Sequence, residues 1–298
     1  MMENLNKFYP TLGLLGKSIR KIKICKFYII VAISGLIFSS IIFIYSFLRN
    51  DGGNFNINKA VVMVKADKGW GTGFFIEKKY LLTAGHVVGN SKIVDIIIKK
   101  DKEHIKEVHK AKVVYTMYND YVNKFIIKYN SMLKELQVTK SANRKKELLN
   151  ILGKELNNIE KYDWALLKVT DNYVSDSRFK LGKSSGCKLN DDVTLAGYFY
   201  ESNAMGAIVN PDSATINVFK SSITSFKDGF IIIKQKIDPG YSGSPVIKGN
   251  KIGNDNKVIG IAIEGYNKKL DIQSIGGFIL PIDYVRNGLK KAGFYKKK

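Results

Sequence analysis

From Lys59 to Thr116 the chain runs in short apolar stretches punctuated by glycine and charge: AVVMVKA, GWGTGFFIEKKYLLTAGHVV, KIVDIIIKK and AKVVYT. Brief β-branched and aromatic runs bounded by turn signals predict strands, and their close spacing predicts a barrel or sandwich. The same rhythm resumes at Tyr162 in YDWALLKV and continues through DVTLAGYFY, ATINVFKSSIT, FIIIKQKI, SPVIKG, KVIGIAIEGY and GGFILPI. Between the two sets the period changes. Val122, Phe125, Ile126, Tyr129, Met132, Leu133 and Leu136, then Leu148, Leu149, Leu152, Leu156 and Ile159, recur at helical spacing. They predict a helical hairpin over residues 119–160, turning near Thr139 to Asn143 and burying one face of each helix against the other helix and the strands. After Pro281 a short helix is expected from Asp283 to Ala292, with Gly293 where helices commonly stop.

The N-terminal part follows a different rule. Residues 27–48, FYIIVAISGLIFSSIIFIYSFL, carry no charge and would form a helix of roughly 33 Å at about 1.5 Å per residue, enough to cross a bilayer. The stretch is longer than the apolar region of a cleavable signal and lacks the polar face of a buried core helix. The expectation is an uncleaved transmembrane anchor, preceded by a basic tail (1–26) and followed by a polar linker (49–59) and a folded domain (60–298). Lys17, Arg20, Lys21, Lys23 and Lys26 crowd the N-terminal side, which predicts a single-pass protein with a cytoplasmic N-terminus and an extracytoplasmic domain.

Charge and cysteine content narrow the choice further. Of the 48 basic and 26 acidic residues, 42 and 25 follow position 48, so the remainder carries +17 of the net +22. No dense cluster of arginine and aromatic residues accompanies that excess, so it is read as a lysine-coated surface, with no nucleic-acid partner expected. Cys25 and Cys187 are far apart and show no metal-ligand spacing, so no disulfide framework and no metal are expected.

One segment, DPGYSGSPV from Asp238 to Val246, fits neither helix nor strand. Glycines flank Ser242, and Pro239 and Pro245 restrict the chain on either side. A serine hydroxyl becomes a useful nucleophile only beside a base, and TAGH places His86 at the end of a predicted strand, where a base would be held rigidly. The N–H groups of Gly240 and Ser242 could converge on one point and stabilise an oxyanion. His104 and His109 lie in a lysine-rich stretch and are expected to be solvated.

LLTAGHVV, DWALLKV and DPGYSGSPV stand in the order His, Asp, Ser, and this resembles the chymotrypsin-like serine proteases. GTGFFI, KLGKSS, VIGIAI and GGFILPI extend the likeness to the bacterial HtrA-type branch, and the SGSP ending is similar to glutamyl endopeptidases. The resemblance covers residues 60–117 and 161–292. It implies an all-β fold of two six-stranded antiparallel barrels with the hairpin as an insertion. It implies a triad of His86, Asp163 and Ser242, an oxyanion hole from the Gly240 and Ser242 N–H groups, a protein or peptide substrate and no cofactor. Lys236 falls at the position associated with the base of the primary pocket, where it could favour an acidic side chain or point to solvent. Glu264, Gly265 and Tyr266 would form a wall of that pocket, and Glu264 could neutralise the lysine.

Two departures leave other functions open. Where the family often has a Ser or Thr that hydrogen-bonds the aspartate, this chain has Ile263, leaving backbone N–H groups near Gly85 and His86 to hold Asp163. No segment resembling the PDZ domain of many HtrA proteases follows the barrels. A catalytically weak or inactive module that binds peptide therefore stands beside the membrane-anchored endopeptidase. The insertion could serve as packing, as a lid over a latent enzyme, or as a surface for self-association or a partner.

Overall fold

The computed structural model describes residues 55–67, 69–100, 105–199, 214–253, 257–263 and 276–294. The expected span at 27–48, with Cys25, lies outside them. Among the described residues no helix is long and apolar enough to cross a membrane. Residues 54–298 form one compact unit. Phe55 packs edge-on against Phe179 at 5.1 Å, and Asn56 caps a single helical turn, α1 (Ile57–Ala60). The last residues of the expected linker are thereby drawn into the fold.

Six strands, β1 (Val61–Lys65), β2 (Trp70–Glu77), β3 (Tyr80–Thr83), β4 (Ile93–Lys100), β5 (Ile105–Thr116) and β6 (Ala165–Val169), make the first barrel. Their order is β1-β2-β3-β6-β5-β4, closed by antiparallel pairing of β4 with β1. Closure removes both sheet edges, and nearly every residue of β1 and β2 is buried, so these strands read as continuous apolar runs. The second barrel comprises β8 (Asp192–Phe199), β9 (Thr215–Lys227), β10 (Phe230–Ile233), β11 (Pro245–Lys248), β12 (Lys257–Ile263) and β13 (Gly277–Pro281). It runs β11-β8-β9-β10-β13-β12 and closes through β11 against β12. A two-residue strand, β7 (Lys180–Leu181), is added in parallel to β12. The expected pair of six-stranded antiparallel barrels is thus present.

Phe74, Leu82, Ile96 and Leu166 from the first barrel share one core with Tyr198, Phe230 and Leu280 from the second. The barrels are therefore joined by buried apolar surface. The C-terminal helix α5 (Ile282–Lys291) reinforces the joint by burying Ile282, Val285 and Leu289. Its Gly288 lies flat on the ring of Trp164, where a Cβ would sit 2.1 Å from Cζ2. Gly288→Ala is accordingly expected to destabilise the fold by about 1–2 kcal/mol, the crowding outweighing alanine's better helix propensity. Denaturant unfolding measures it; a midpoint at or above wild type would contradict the packing.

The insertion is a helical hairpin of α3 (Tyr118–Val138) and α4 (Ala142–Glu160). Ser141 accepts from the Arg144 N–H to start α4, and Arg144 reaches back to Glu135 at 2.7 Å, joining the two helices beside their turn. Tyr129, Leu148, Leu152 and Ile159 are buried, whereas Ile126, Ile127 and Val138 are exposed. Of the expected cover of the barrel, the described residues show contact at the root, where Tyr118 packs on Gly85. Two amphipathic helices of similar length bury part of their apolar faces against each other and leave Ile126, Ile127 and Val138 in solvent.

The expectation of a solvated His109 is corrected. β5 is longer than the AKVVYT run suggested, and it carries His109 to 2.9 Å from Asp171 and 4.4 Å from the Tyr173 ring. His104 lies outside the described residues. Burial pushes the Asp171 carboxyl up, but the Tyr173 N–H, the His109 ring and the Lys110 backbone favour the carboxylate more and leave it below its ordinary range. A depressed folded-state value gives stability that is fully present above the unfolded value of about 3.9 and lost as pH falls through the folded one. The stability gap between wild type and Asp171→Asn should therefore narrow between about pH 5 and pH 2 in urea titrations. A gap independent of pH would refute it.

Candidate active site

β3 ends at Thr83, and the chain turns at Ala84 into the single helical turn α2 (Gly85–Val88), which presents His86. Asp163 lies two residues before β6, the strand that pairs with β3 through Thr83 and Ala165. Adjacent strand ends thus bring together two residues 77 positions apart. One Asp163 oxygen lies 2.7 Å from His86 Nδ1, and the other accepts the His86 backbone N–H at 2.8 Å. The aspartate side chain is 3% exposed and the imidazole 29%. A buried carboxylate gripping Nδ1 and the main chain of one residue fixes the ring and leaves Nε2 to accept a proton. Ile263, fully buried in β12, has no polar atom to offer, and the His86 N–H supplies the support that the sequence assigned to the backbone in its place.

Ser242 is 4% exposed, in the turn that leads into β11. Gly240 and Gly243 have φ of +97° and +90°, which side-chain-bearing residues rarely adopt. A Cβ on Gly243 would meet the Thr72 carbonyl at 2.0 Å and the Ala84 nitrogen at 2.9 Å, so the turn is pressed against the strand end that carries the histidine. The Ser242 carbonyl accepts the Thr72 N–H at 2.8 Å, and the Gly243 N–H donates to Ala262 at 2.8 Å. Among the described residues neither the Gly240 nor the Ser242 N–H has an acceptor. Two uncommitted donors, one of them on Ser242 itself, are what an oxyanion requires.

The hairpin is rooted at this dyad. Tyr118 sets its ring 6.3 Å from the His86 imidazole, edge to face, and Thr116 Oγ1 donates to the Trp164 carbonyl at 3.1 Å, directly after Asp163. Tyr121 and Tyr162 stack across the base of the hairpin at 3.7 Å. Neither Tyr118 nor Thr72 was singled out in the sequence, since a tyrosine opening a helix and a threonine inside a strand look ordinary. Lys236 is exposed on the segment between β10 and the turn. Glu264, Gly265 and Tyr266 lie outside the described residues. Among the described residues no group of three or more His, Cys, Asp and Glu could hold a metal ion.

The family model for the trypsin-like peptidase domain matches residues 71–261, well over half the chain and the whole interval from Thr72 to Ser242. The chain belongs to the trypsin-like peptidase family. Its two barrels are the scaffold of that family, and as a trypsin-like peptidase it is a serine endopeptidase acting on protein or peptide. Among curated proteins no sequence matches it. A crystal structure of Deg5 is similar at 15% identity and a TM-score of 0.45, over 78% of this chain and 87% of that one, too distant a likeness to carry function.

Proposed function

We propose that this trypsin-like peptidase is of the HtrA type, is anchored in a membrane by residues 27–48 with its N-terminus in the cytoplasm, and cleaves extracytoplasmic protein through His86, Asp163 and Ser242. The observation that carries the assignment is the double grip of Asp163 on the ring and backbone of His86. The position of the Ser242 turn against Thr72 and Ala84 supports it. In this reading Ser242 Oγ attacks the peptide carbonyl while His86 Nε2 takes its proton, and the oxyanion is held by the Gly240 and Ser242 N–H groups. His86 then returns the proton to the departing amine, leaving an acyl-enzyme. Water, deprotonated by the same ring, attacks the ester and regenerates Ser242. Asp163 stays ionised and offsets the imidazolium charge. The exposed apolar residues of the hairpin, Ile126, Ile127 and Val138, suit a partner or a second copy.

A fluorophosphonate probe tests the chemistry: the wild-type chain should be labelled at one site, mapped to Ser242 by peptide sequencing. Labelling elsewhere, or none, would remove the assignment. Resistance of the chain to carbonate extraction from membranes, lost when residues 1–48 are deleted, tests the anchor. Ile263 favours the second reading, a peptide-binding module of weak turnover. That reading gains if a well-folded, probe-negative protein leaves casein intact over long incubation.

A further inference from the structure

Thr72 sits in β2 of the first barrel and is fully buried, yet every polar atom it owns is spent on other segments. Its N–H donates to the Ser242 carbonyl at 2.8 Å. Its hydroxyl donates to the Gly240 carbonyl at 2.8 Å and accepts the Tyr198 N–H at 2.9 Å, and its own carbonyl accepts the Thr83 hydroxyl at 2.7 Å. A hydroxyl that both donates and accepts has its proton direction determined, and a buried one has no water to turn to.

Thr72 therefore grips the nucleophile turn at two carbonyls, one on each side of Tyr241. Those carbonyls belong to the residues whose N–H groups stand without an acceptor among the described residues. A peptide plane is rigid, so fixing the Gly240 carbonyl fixes the plane that joins it to Tyr241 and, with the Ser242 carbonyl also held, limits how the chain between them can rotate. Gly240 at φ +97° has no side chain to resist such rotation. The restraint comes from the opposite barrel. The Thr83 hydroxyl, three residues before His86, holds the Thr72 carbonyl in turn, so one residue links the strand carrying the base to the turn carrying the nucleophile.

We propose that Thr72 is a positioning residue that keeps the Gly240 and Ser242 N–H groups aimed at the developing oxyanion, so that the first barrel sets the shape of the second barrel's oxyanion hole. The proposal rests on the triad reading above and adds a residue that touches no substrate. Thr72→Val keeps the branched shape and removes the hydroxyl, freeing the Gly240 carbonyl and leaving the Tyr198 N–H unpaired. Misaimed rather than missing donors are expected to lower kcat by about ten- to a hundredfold, with KM changing by less than about threefold. Thr72→Ser restores the hydroxyl and is expected to recover activity to within about threefold of wild type.

Affinity for a peptide aldehyde, whose adduct carries the tetrahedral oxygen, should fall in step with kcat/KM in the valine variant, while affinity for the product peptide stays put. Thr72→Ala, which relieves any crowding in the same site, should show the same split, so either variant suffices if the other does not fold. Wild-type kcat in a folded hydroxyl-free variant would overturn the proposal. So would a serine variant as impaired as the valine one, or a loss matching only the unfolded fraction seen by circular dichroism. Failure of the triad reading looks different: the wild-type chain itself would not be labelled by the fluorophosphonate probe.

Discussion

Ser242→Ala is expected to reduce kcat on a peptide substrate by about a millionfold, to the residual rate that binding and oxyanion stabilisation alone support. It should not disturb the fold. Ser242 is tied to the first barrel through its carbonyl, which accepts from Thr72, and alanine keeps that carbonyl. The hydroxyl of a nucleophile cannot be replaced by a neighbour unless another serine reaches the same point, and the obvious candidate is Ser244. That hydroxyl is fully buried, has no hydrogen-bond partner among the described residues, and lies against Gly197, where a Cβ would meet it at 2.0 Å. Ser244→Ala is therefore the matched control, expected to keep labelling and turnover. If Ser244→Ala abolished labelling and Ser242→Ala did not, the nucleophile would have been misassigned.

Asp163→Asn carries the second largest effect, a fall in kcat of about ten-thousandfold at neutral pH with little change in KM. The geometry shows why the loss should be large although the substitution is nearly isosteric. Oδ1 accepts the His86 backbone N–H at 2.8 Å, and an amide oxygen can take over that bond. The amide nitrogen then faces His86 Nδ1, where the carboxylate oxygen lay at 2.7 Å, and can only donate. The ring must place its proton on Nε2, the atom that has to receive the serine proton. The imidazole stays oriented and becomes the wrong tautomer. Measuring kcat/KM and the acylation burst together checks this, and a loss below about tenfold would mean that Asp163 holds the fold and little else. Because Ile263 gives the aspartate no second side-chain donor, wild-type turnover itself is expected to be modest.

Much of this was legible beforehand because it depends on local pattern. The apolar runs split by glycine announced strands, and the change to helical spacing after Asn119 announced the hairpin within one residue of its start at Tyr118. Gly293, with φ of +75°, ends α5 as the pattern indicated, two residues beyond Lys291. The positions of Ser242 in a turn and His86 just past a strand end were legible because a serine between glycines and a histidine after a short apolar run limit what the backbone can do there. His109 misled for the complementary reason. Its lysine-rich neighbours describe a solvated strand, while its partner Asp171 stands 62 positions away on another segment and leaves no trace nearby.

The hairpin divides along the same line. Helical period told that each helix had a face to bury, and counted nothing about whether the barrel would receive it. The two helices are of similar length and joined by a tight turn, so their faces meet each other first. Among the described residues the root reaches the barrel at Tyr118, which Gly85 admits because it carries only a hydrogen there: a Cβ would come within 2.7 Å of the tyrosine.

By itself the sequence determined the kinds of element, the order of the chemical groups and the family, all of which follow from residue type and short-range spacing. Tertiary structure alone decided that Asp163 would grip both the ring and the backbone of His86, and that Thr72 would hold a turn 168 positions later. Barrel closure is the physical reason. Pairing β3 with β6 and pressing the second barrel on β2 sets distances between segments whose separation in the chain carries no information about their separation in space. Buried hydrogen bonds, costly to leave unmade, then favour the arrangement in which Asp163 and Thr72 find their partners.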